Sequence, residues 1–312
     1  MSKSGREIEL KLELDQSAQD TLRRMSATGG FTAGRAVTRT LQSIYFDTAD
    51  QALRKAKISL RVRKSGRSWV QTVKIGTGVV AGLSSPIEAE HPVKGRALDF
   101  SVIEDPEVAK VLTKAIGGAP LSECFETVMK RTTRELTRAD DDARIELAFD
   151  TGNILAGDGS QPLAELEMEL LEGPSQAIFD AARELLKDAP FRFSPYSKAE
   201  RGYRFAEGSA PGSPEPCFAE KISFNPGTSV ELAFRDVLRS CLKQVSENRL
   251  VVIGSRDPEG PHQLRVGLRR LRSAFRLFRP VLNPATATPL DRMARTIAGE
   301  AGSMRALDVL ID

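Results

Sequence analysis

The sequence predicts an antiparallel β-barrel with charged side chains facing inward, followed by a helical domain (α+β overall). Three observations predict it. Glu7 to Leu14 alternates charged and aliphatic residues without a break. Later runs repeat the alternation with segregated charge, some acidic and some basic. After Pro216 the apolar spacing changes from two to three and four residues.

The first strand is the clearest. Successive side chains of a strand point to opposite faces, so Glu7, Glu9, Lys11 and Glu13 share one face and Ile8, Leu10, Leu12 and Leu14 the other. Glu88 and Glu90 share a face of a second strand. Glu165, Glu167 and Glu169 share one of a third, with Leu166, Met168 and Leu170 opposite. The basic strands place Ser59, Arg61 and Arg63 together, Thr72 with Lys74, and Arg131 with Thr133 and Glu135. Like charges at neighbouring positions repel, and solubility gives no reason to sort them this way. A closed barrel that binds a polyanion through metal and cations needs both kinds of strand.

Helices are expected at Asp15 to Ala27 with Asp15 as N-cap, at Asp105 to Ala115 and at Ser175 to Lys187. Glu207 to Pro216 has three prolines and no apolar periodicity, which reads as a linker. The domain boundaries that follow are 1–206, a linker at 207–217, and a helical region at 218–312. In that region helices are expected from Val230 to about Val251, from Gly260 to about Phe278, and from near Thr288 with Pro289 in the first turn.

Composition narrows the chemistry. With 45 basic and 42 acidic residues the chain is nearly balanced, which argues against a general nucleic-acid binder. Two histidines, His91 and His262, are too few for a histidine-rich metal site. The three scattered cysteines suggest neither disulfides nor zinc. A metal held here would be held by carboxylates, which favours Mg²⁺ or Mn²⁺. No apolar run approaches the ~20 residues of a membrane span and no signal segment opens the chain, so a cytoplasmic protein is expected.

The Glu7-x-Glu9-x-Lys11 strand resembles the opening motif of the CYTH, or triphosphate tunnel metalloenzyme, family. Further matches follow in family order: Tyr45-Phe46-Asp47-Thr48, Leu60-Arg61-Val62-Arg63, Thr72-Val73-Lys74, Glu146 to Gly152, Glu165 to Glu169, and Ser197-Lys198-Ala199-Glu200-Arg201. The resemblance implies an eight-stranded tunnel with flanking helices that hydrolyses inorganic triphosphate to phosphate and diphosphate with a divalent metal. It sorts the roles as follows. Glu7, Glu9, Glu165 and Glu167 would ligate metal, with Glu169 a weaker addition. Glu88, Glu90 and Lys74 would serve catalysis near a second metal or the attacking water. Lys11, Arg61, Arg63, Lys74, Arg131, Lys198 and Arg201 would grip phosphate. Arg144 is marginal. Glu13 and Glu135 read as salt-bridged or exposed, Trp69 and Tyr45 as packing residues, and Asp47 as a turn former. One departure stands out: similar proteins commonly carry an arginine before the second Glu-x-Glu pair, whereas Gly82 to Ile87 has no basic residue. Arg96 is the nearby substitute.

In the helical region His262, Arg265, Arg269, Arg272 and Arg276 fall on one helix face, and no acidic residue lies between Gly260 and Val281. His262 to Arg272 resembles the opening motif of the CHAD domain, as does Arg305 to Leu310. That resemblance implies a histidine-containing helical domain associated with long-chain polyphosphate; ending at Asp312, it reads as a partial one. The rival readings are a class IV adenylate cyclase or thiamine triphosphatase on the same fold, and a non-catalytic polyphosphate-binding protein.

Overall fold

The structure, a computed structural model, describes residues 4–25, 27–76, 78–208 and 214–311. It divides into two compact units, 1–211 and 212–312. Part of the expected linker and the side chains of the Arg305 to Leu310 motif lie outside the described residues.

The strands of the first unit are β1 (Ser4–Arg6), β2 (Glu9–Leu14), β3 (Ala27–Thr28), β4 (Phe31–Ala33), β5 (Val37–Thr48), β6 (Ile58–Ser65), β7 (Ser68–Ile75), β8 (Leu83–Ser84), β9 (Ile87–Val93), β10 (Leu121–Arg138), β11 (Ala143–Ala156), β12 (Gly159–Glu172) and β13 (Phe191–Phe193). All belong to one sheet with the order β1-β9-β7-β6-β5-β10-β11-β12-β2-β13. β1, at one end of that path, and β2, next to the other end, are consecutive pieces of one segment. The Glu7 N–H donates to Pro86 O at 3.1 Å, and the Ile8 carbonyl accepts from Leu170 N–H at 3.0 Å. The N-terminal segment thus bonds to both flanks, and the sheet curls round upon itself. Eight of the described strands (β2, β5, β6, β7, β9, β10, β11 and β12) have six residues or more.

The barrel is inverted relative to one with an apolar interior. The aliphatic faces point outward and are covered by helices. Leu10, Leu12 and Leu14 of β2 pack with Leu147, Phe149, Leu166 and Met168, under α1 (Gln16–Arg24) and α4 (Gln176–Leu186). Ile44, Phe46, Leu60, Val62 and Val73 pack under α2 (Ala52–Lys55) and α3 (Pro106–Ile116). Each fully buried large aliphatic side chain stabilises the fold by about 1.5–3 kcal/mol, so the outer layer carries the folding while the inner face is left to charge.

Capping follows the sequence. Asp15 accepts the Ala18 N–H at 2.7 Å. Asp105 caps α3, with Pro106 opening it. Asp47 shapes a turn, as its position suggested. It accepts the N–H groups of Leu53 and Arg54 at 2.8 and 2.9 Å and the Tyr203 hydroxyl at 2.8 Å. That last bond ties α5 (Lys198–Ala206) to the barrel. A Cβ at Gly202 would collide with the Phe125 ring, so glycine lets α5 lie flat on the Tyr45–Phe125–Tyr203 aromatic group.

The second unit contains α6 (Val230–Gly254), α7 (Glu259–Leu277) and α8 (Pro284–Ile311). Leu264, Leu268, Leu271 and Phe275 form the buried face of α7, with Cys241, Ala294 and Ala301 around them. The third helix begins four residues earlier than Thr288, placing Pro289 inside it. Asn283 explains the early start: its side chain accepts the Ala285 N–H at 3.0 Å and its carbonyl the N–H groups of Thr286 and Ala287. Asn248 pins the preceding segment by exchanging hydrogen bonds with the Cys217 backbone at 2.7 and 3.1 Å. Among the described residues no helix is long and apolar enough to cross a membrane.

Candidate functional site

The inward faces enclose a cavity of about 600 Å³. Its charges are sorted by strand. Glutamates come from the β1–β2 segment (Glu7, Glu9), β9 (Glu88, Glu90), β12 (Glu167, Glu169) and β11 (Glu146). Arginines come from β6 (Arg61, Arg63), β5 (Arg39) and β10 (Arg131). In the strand order these are two uninterrupted arcs, a glutamate wall and an arginine wall. Lysines lie among the glutamates or at the boundaries: Lys11 on β2, Lys74 on β7, and Lys198 at the start of α5. Seven carboxylates and seven cations therefore line the cavity among the described residues.

Each lysine bridges several carboxylates. Lys74 Nζ lies 2.9 Å from Glu7, 3.0 Å from Glu9 and 2.8 Å from Glu88. Lys11 pairs with Glu9 and, at 2.5 Å, with Glu167. Lys198 pairs with Asp150 at 2.8 Å, with Glu167 at 2.9 Å and with Glu165. Burial and these charges act in opposite directions. Burial raises a carboxylate, yet Lys11 and Lys74 hold Glu9 far below the ordinary range. Against burial, the Glu7 hydrogen bond and the Lys74 and Arg61 charges hold Glu88 down at about 2. Its partner Glu7 is pushed up to about 10 by burial and by that same hydrogen bond.

One row sets three acids directly opposite one another. Across β2, β12 and β11, Glu9 lies opposite Glu169 and Glu169 opposite Glu146. Like charges directly opposite on neighbouring strands are destabilising. Burial, then the Glu9 charge, with Glu146 and Glu88 adding, pushes the Glu169 carboxyl up to about 7. Carboxylate oxygens are the donors a hard divalent cation takes, so the chemistry of this row fits such an ion. A second acidic group, Asp150, Glu165 and Glu167, has carboxylate oxygens within 4.8 Å of one another. It is already occupied by protein cations, Lys198 and the Arg131 guanidinium, which meets Asp150 at 2.5 Å and Glu167 at 2.6 Å.

The arginine wall is less compensated. Arg61 reaches Glu88 and Glu90 at 3.5 and 3.8 Å. Arg63 donates to the Ser43 hydroxyl at 3.1 Å and has no ion pair among the described residues. Burial, with the Arg61 and Arg131 charges, brings its guanidinium down to about 10. That is the mark of a buried cation without a counter-charge of its own.

Most of the sequence-derived residues thus face one cavity. Glu165 and Arg201 do not line it. Glu165 is fully buried behind Lys198, and Arg201 sits 3.6 Å from Glu13 and 3.7 Å from Glu165. Arg144 lies outside, paired with Glu135 at 2.9 Å and Glu172 at 3.3 Å. Arg96 does not replace the missing arginine before Glu88. It is held outside the cavity by Glu123 and Glu126, at 2.5 and 2.7 Å. Pro86 lines the wall there instead. Tyr45 lines the cavity, but its ring is stacked on Phe125 at 4.5 Å. Sequence reasoning missed Arg39, Glu146 and Asp150. The last two share the inward parity of β11, a signal that the intervening Ala148 diluted. Arg39 stands among threonines and aliphatics, where alternation is weak.

On α7, Arg265, Arg269 and Arg276 are exposed, while His262 and Arg272 are half-buried. One acid from beyond that stretch meets the row: Asp291 of α8 accepts from Arg272 Nε at 3.0 Å.

The CYTH domain family model matches residues 5–203, and that of the CHAD domain matches residues 236–312. The chain is 32% identical over 204 residues to a Haemophilus influenzae protein named inorganic triphosphatase, covering 63% of this chain and 54% of that one. It therefore spans about half the length of that curated relative. Among solved structures it is similar to a Hippeastrum protein described as an adenylyl cyclase candidate with a dominant triphosphatase activity (TM-score 0.44, 20% identity, 66% of this chain and 97% of that one). It is also similar to an adenylate cyclase candidate from Bacillus halodurans (TM-score 0.42, 18% identity, 64% and 97%). These two superpositions are too loose to carry any argument about chemistry. On the family match alone, the chain belongs to the CYTH family, and a CHAD domain match follows its CYTH domain.

Proposed function

We propose that the cavity hydrolyses inorganic triphosphate to phosphate and diphosphate with a divalent metal. The observation that carries this reading is the division of the cavity into a glutamate arc and an arginine arc. A triphosphate with bound divalent cations has the complementary division, cationic on one side and anionic on the other. Phosphoanhydride hydrolysis asks little of the protein beyond charge compensation, positioning and an oriented water. The inorganic substrate is favoured by the lining: its one aromatic among the described residues, Tyr45, is already stacked, leaving no platform for a base or a thiazole ring.

The residues divide the work as follows. Glu7, Glu9 and Glu169, with Glu146 beside them, would hold the metal, and Glu167 would be a further ligand. Glu165 supports Lys198 from behind. A bound metal supplies Lewis acidity and lowers the pKa of an attacking water. Arg61, Arg63 and Arg131 hold the non-reacting phosphates and meet the charge that develops on the leaving group. Lys11, Lys74 and Lys198 sit between carboxylates and would be free to turn to phosphate wherever those carboxylates ligated a metal instead. Glu88 and Glu90, flanking Lys74 and Arg61, orient the water. Arg201 acts through Glu165 and Glu13.

In the second unit the exposed arginines Arg265, Arg269 and Arg276, with His262 and Arg272 beside them, form a row suited to a long polyphosphate chain. Guanidinium groups bind phosphate oxygens bidentately, and a row of them at helical spacing matches a repeating anion.

Phosphate release from tripolyphosphate, with and without Mg²⁺, tests the tunnel assignment beside a Glu7→Gln/Glu9→Gln variant. Metal-dependent release that the variant abolishes is expected. A folded protein that binds tripolyphosphate but releases no phosphate with Mg²⁺ or Mn²⁺ is a binding protein, the reading that Pro86 in place of an arginine supports. Cyclic AMP from ATP, or thiamine diphosphate from its triphosphate, at a higher rate would move the substrate to those rivals.

A further inference from the structure

We propose that Arg39 is a positioning residue that extends the arginine wall to the rim of the cavity and selects for phosphate chains longer than three. The inference rests on the triphosphatase reading above.

Four observations converge on Arg39. It lines the cavity from β5, on the same face as Val37, Leu41 and Tyr45. In register it stands directly opposite Arg131 of β10. It is exposed, as is neighbouring Val37 at 43%, whereas Arg61 is 9% exposed, so Arg39 lies at the solvent side of the wall. Its fourth property is what it lacks. Arg131 is clasped by Asp150 and Glu167, but Arg39 has no ion pair and no side-chain hydrogen bond among the described residues. Two arginines opposite one another on adjacent strands repel, and only one of this pair is compensated within the protein. Such a guanidinium gains most from an anion brought in from outside.

Placement decides which part of the anion it meets. The phosphates nearest the glutamate wall are held inside by Arg61, Arg63 and Arg131. An arginine at the rim reaches the part of the chain that projects toward solvent. Among the described residues that line the cavity, β8 and β9 contribute no cation: Pro86 lines that side and Arg96 is held elsewhere. Among the described lining residues, Arg39 is therefore the cation placed to meet a fourth phosphate.

The test compares tripolyphosphate with tetrapolyphosphate for wild type, Arg39→Met and Arg39→Lys. A charge-assisted hydrogen bond lost from the outer phosphate raises KM for tetrapolyphosphate about tenfold in Arg39→Met, with the tripolyphosphate KM changed less than about threefold and kcat unchanged. Arg39→Lys recovers part of the loss, since it keeps the charge but not the fork. The unfolding temperature stays where it is, because no ion pair is broken. Equal KM changes for both chains, or none for either, overturn the proposal. If wild type hydrolyses neither substrate, the triphosphatase reading fails separately. Calorimetry with both chains in EDTA then decides Arg39: selective loss of tetrapolyphosphate binding in Arg39→Met supports it, and unchanged binding overturns it.

Discussion

The cavity and the outer face of α7 both gather arginines, but they treat them differently. In the cavity each carboxylate arc faces a cationic one, and lysines such as Lys74 are shared by three glutamates within 3.0 Å. On α7 Arg265, Arg269 and Arg276 stand in solvent, and Asp291 meets Arg272. A buried array must carry its counter-charges because desolvated ions without partners cost several kcal/mol each. A surface array can leave that task to water and salt. Removing a paired charge should therefore disturb fold and function together in the cavity, but binding alone on the helix.

The largest effect is expected from the glutamates. Glu7→Gln/Glu9→Gln should lower kcat/KM for tripolyphosphate by at least about 100-fold, beyond what loss of a supporting residue around a metal usually causes. Steady-state phosphate release at saturating Mg²⁺ measures it.

Arg131 and Arg63 separate the two kinds of cost. Arg131→Ala leaves Asp150 and Glu167 without their guanidinium, and breaking such a buried pair should destabilise the protein by about 3–5 kcal/mol. Arg63→Ala removes a cation with no ion pair among the described residues and should change stability by less than about 1 kcal/mol while weakening triphosphate binding about tenfold or more. Urea unfolding and substrate titration of both variants check the contrast. Equal destabilisation would mean that Arg63 has a counter-charge within the protein.

A pH effect follows from Glu169. Its carboxyl sits at about 7 in the folded protein against 4.5 ordinarily, so between those values the folded state keeps a proton that the unfolded chain has released. The metal-free protein should lose stability as pH rises through that window, and Glu169→Gln should remove that part of the loss. Metal binding at pH 6 should likewise release a proton from Glu169, seen as a buffer-dependent calorimetric heat that is smaller in the variant.

The smallest effect belongs to α7. Arg269→Ala should weaken long-chain polyphosphate binding only a few-fold, with affinity falling steeply as salt is added and no change in unfolding temperature.

Much of this was legible in the sequence because a strand's period of two leaves a direct imprint. The alternation of Glu7 to Leu14 gave both the strand and its inward face, and the outward leucines gave the seats of α1 and α4. The capping roles of Asp15, Asp105 and Asp47 were equally local. What depends on neighbours was not legible. The Glu9–Glu169–Glu146 row exists only through the register of three strands, so Glu169 ranked too low and Glu146 was missed. Glu165 has the same parity as Glu167 but lies behind the wall, because α5 places Lys198 over it. Arg96 is near Glu90 in sequence, yet the turn after β9 delivers it to Glu123 and Glu126. Asn283, an unremarkable residue before a proline, moved the start of α8.

The most direct test of the divided cavity is tripolyphosphate binding by calorimetry, in EDTA and in Mg²⁺, for wild type, Glu9→Gln/Glu169→Gln and Arg63→Ala. If the glutamates hold metal and the arginines hold phosphate, the glutamate variant retains metal-free binding and loses the enhancement by Mg²⁺, while Arg63→Ala weakens binding in both buffers. Loss of metal-free binding in the glutamate variant, or unchanged binding in Arg63→Ala, would contradict the division of labour.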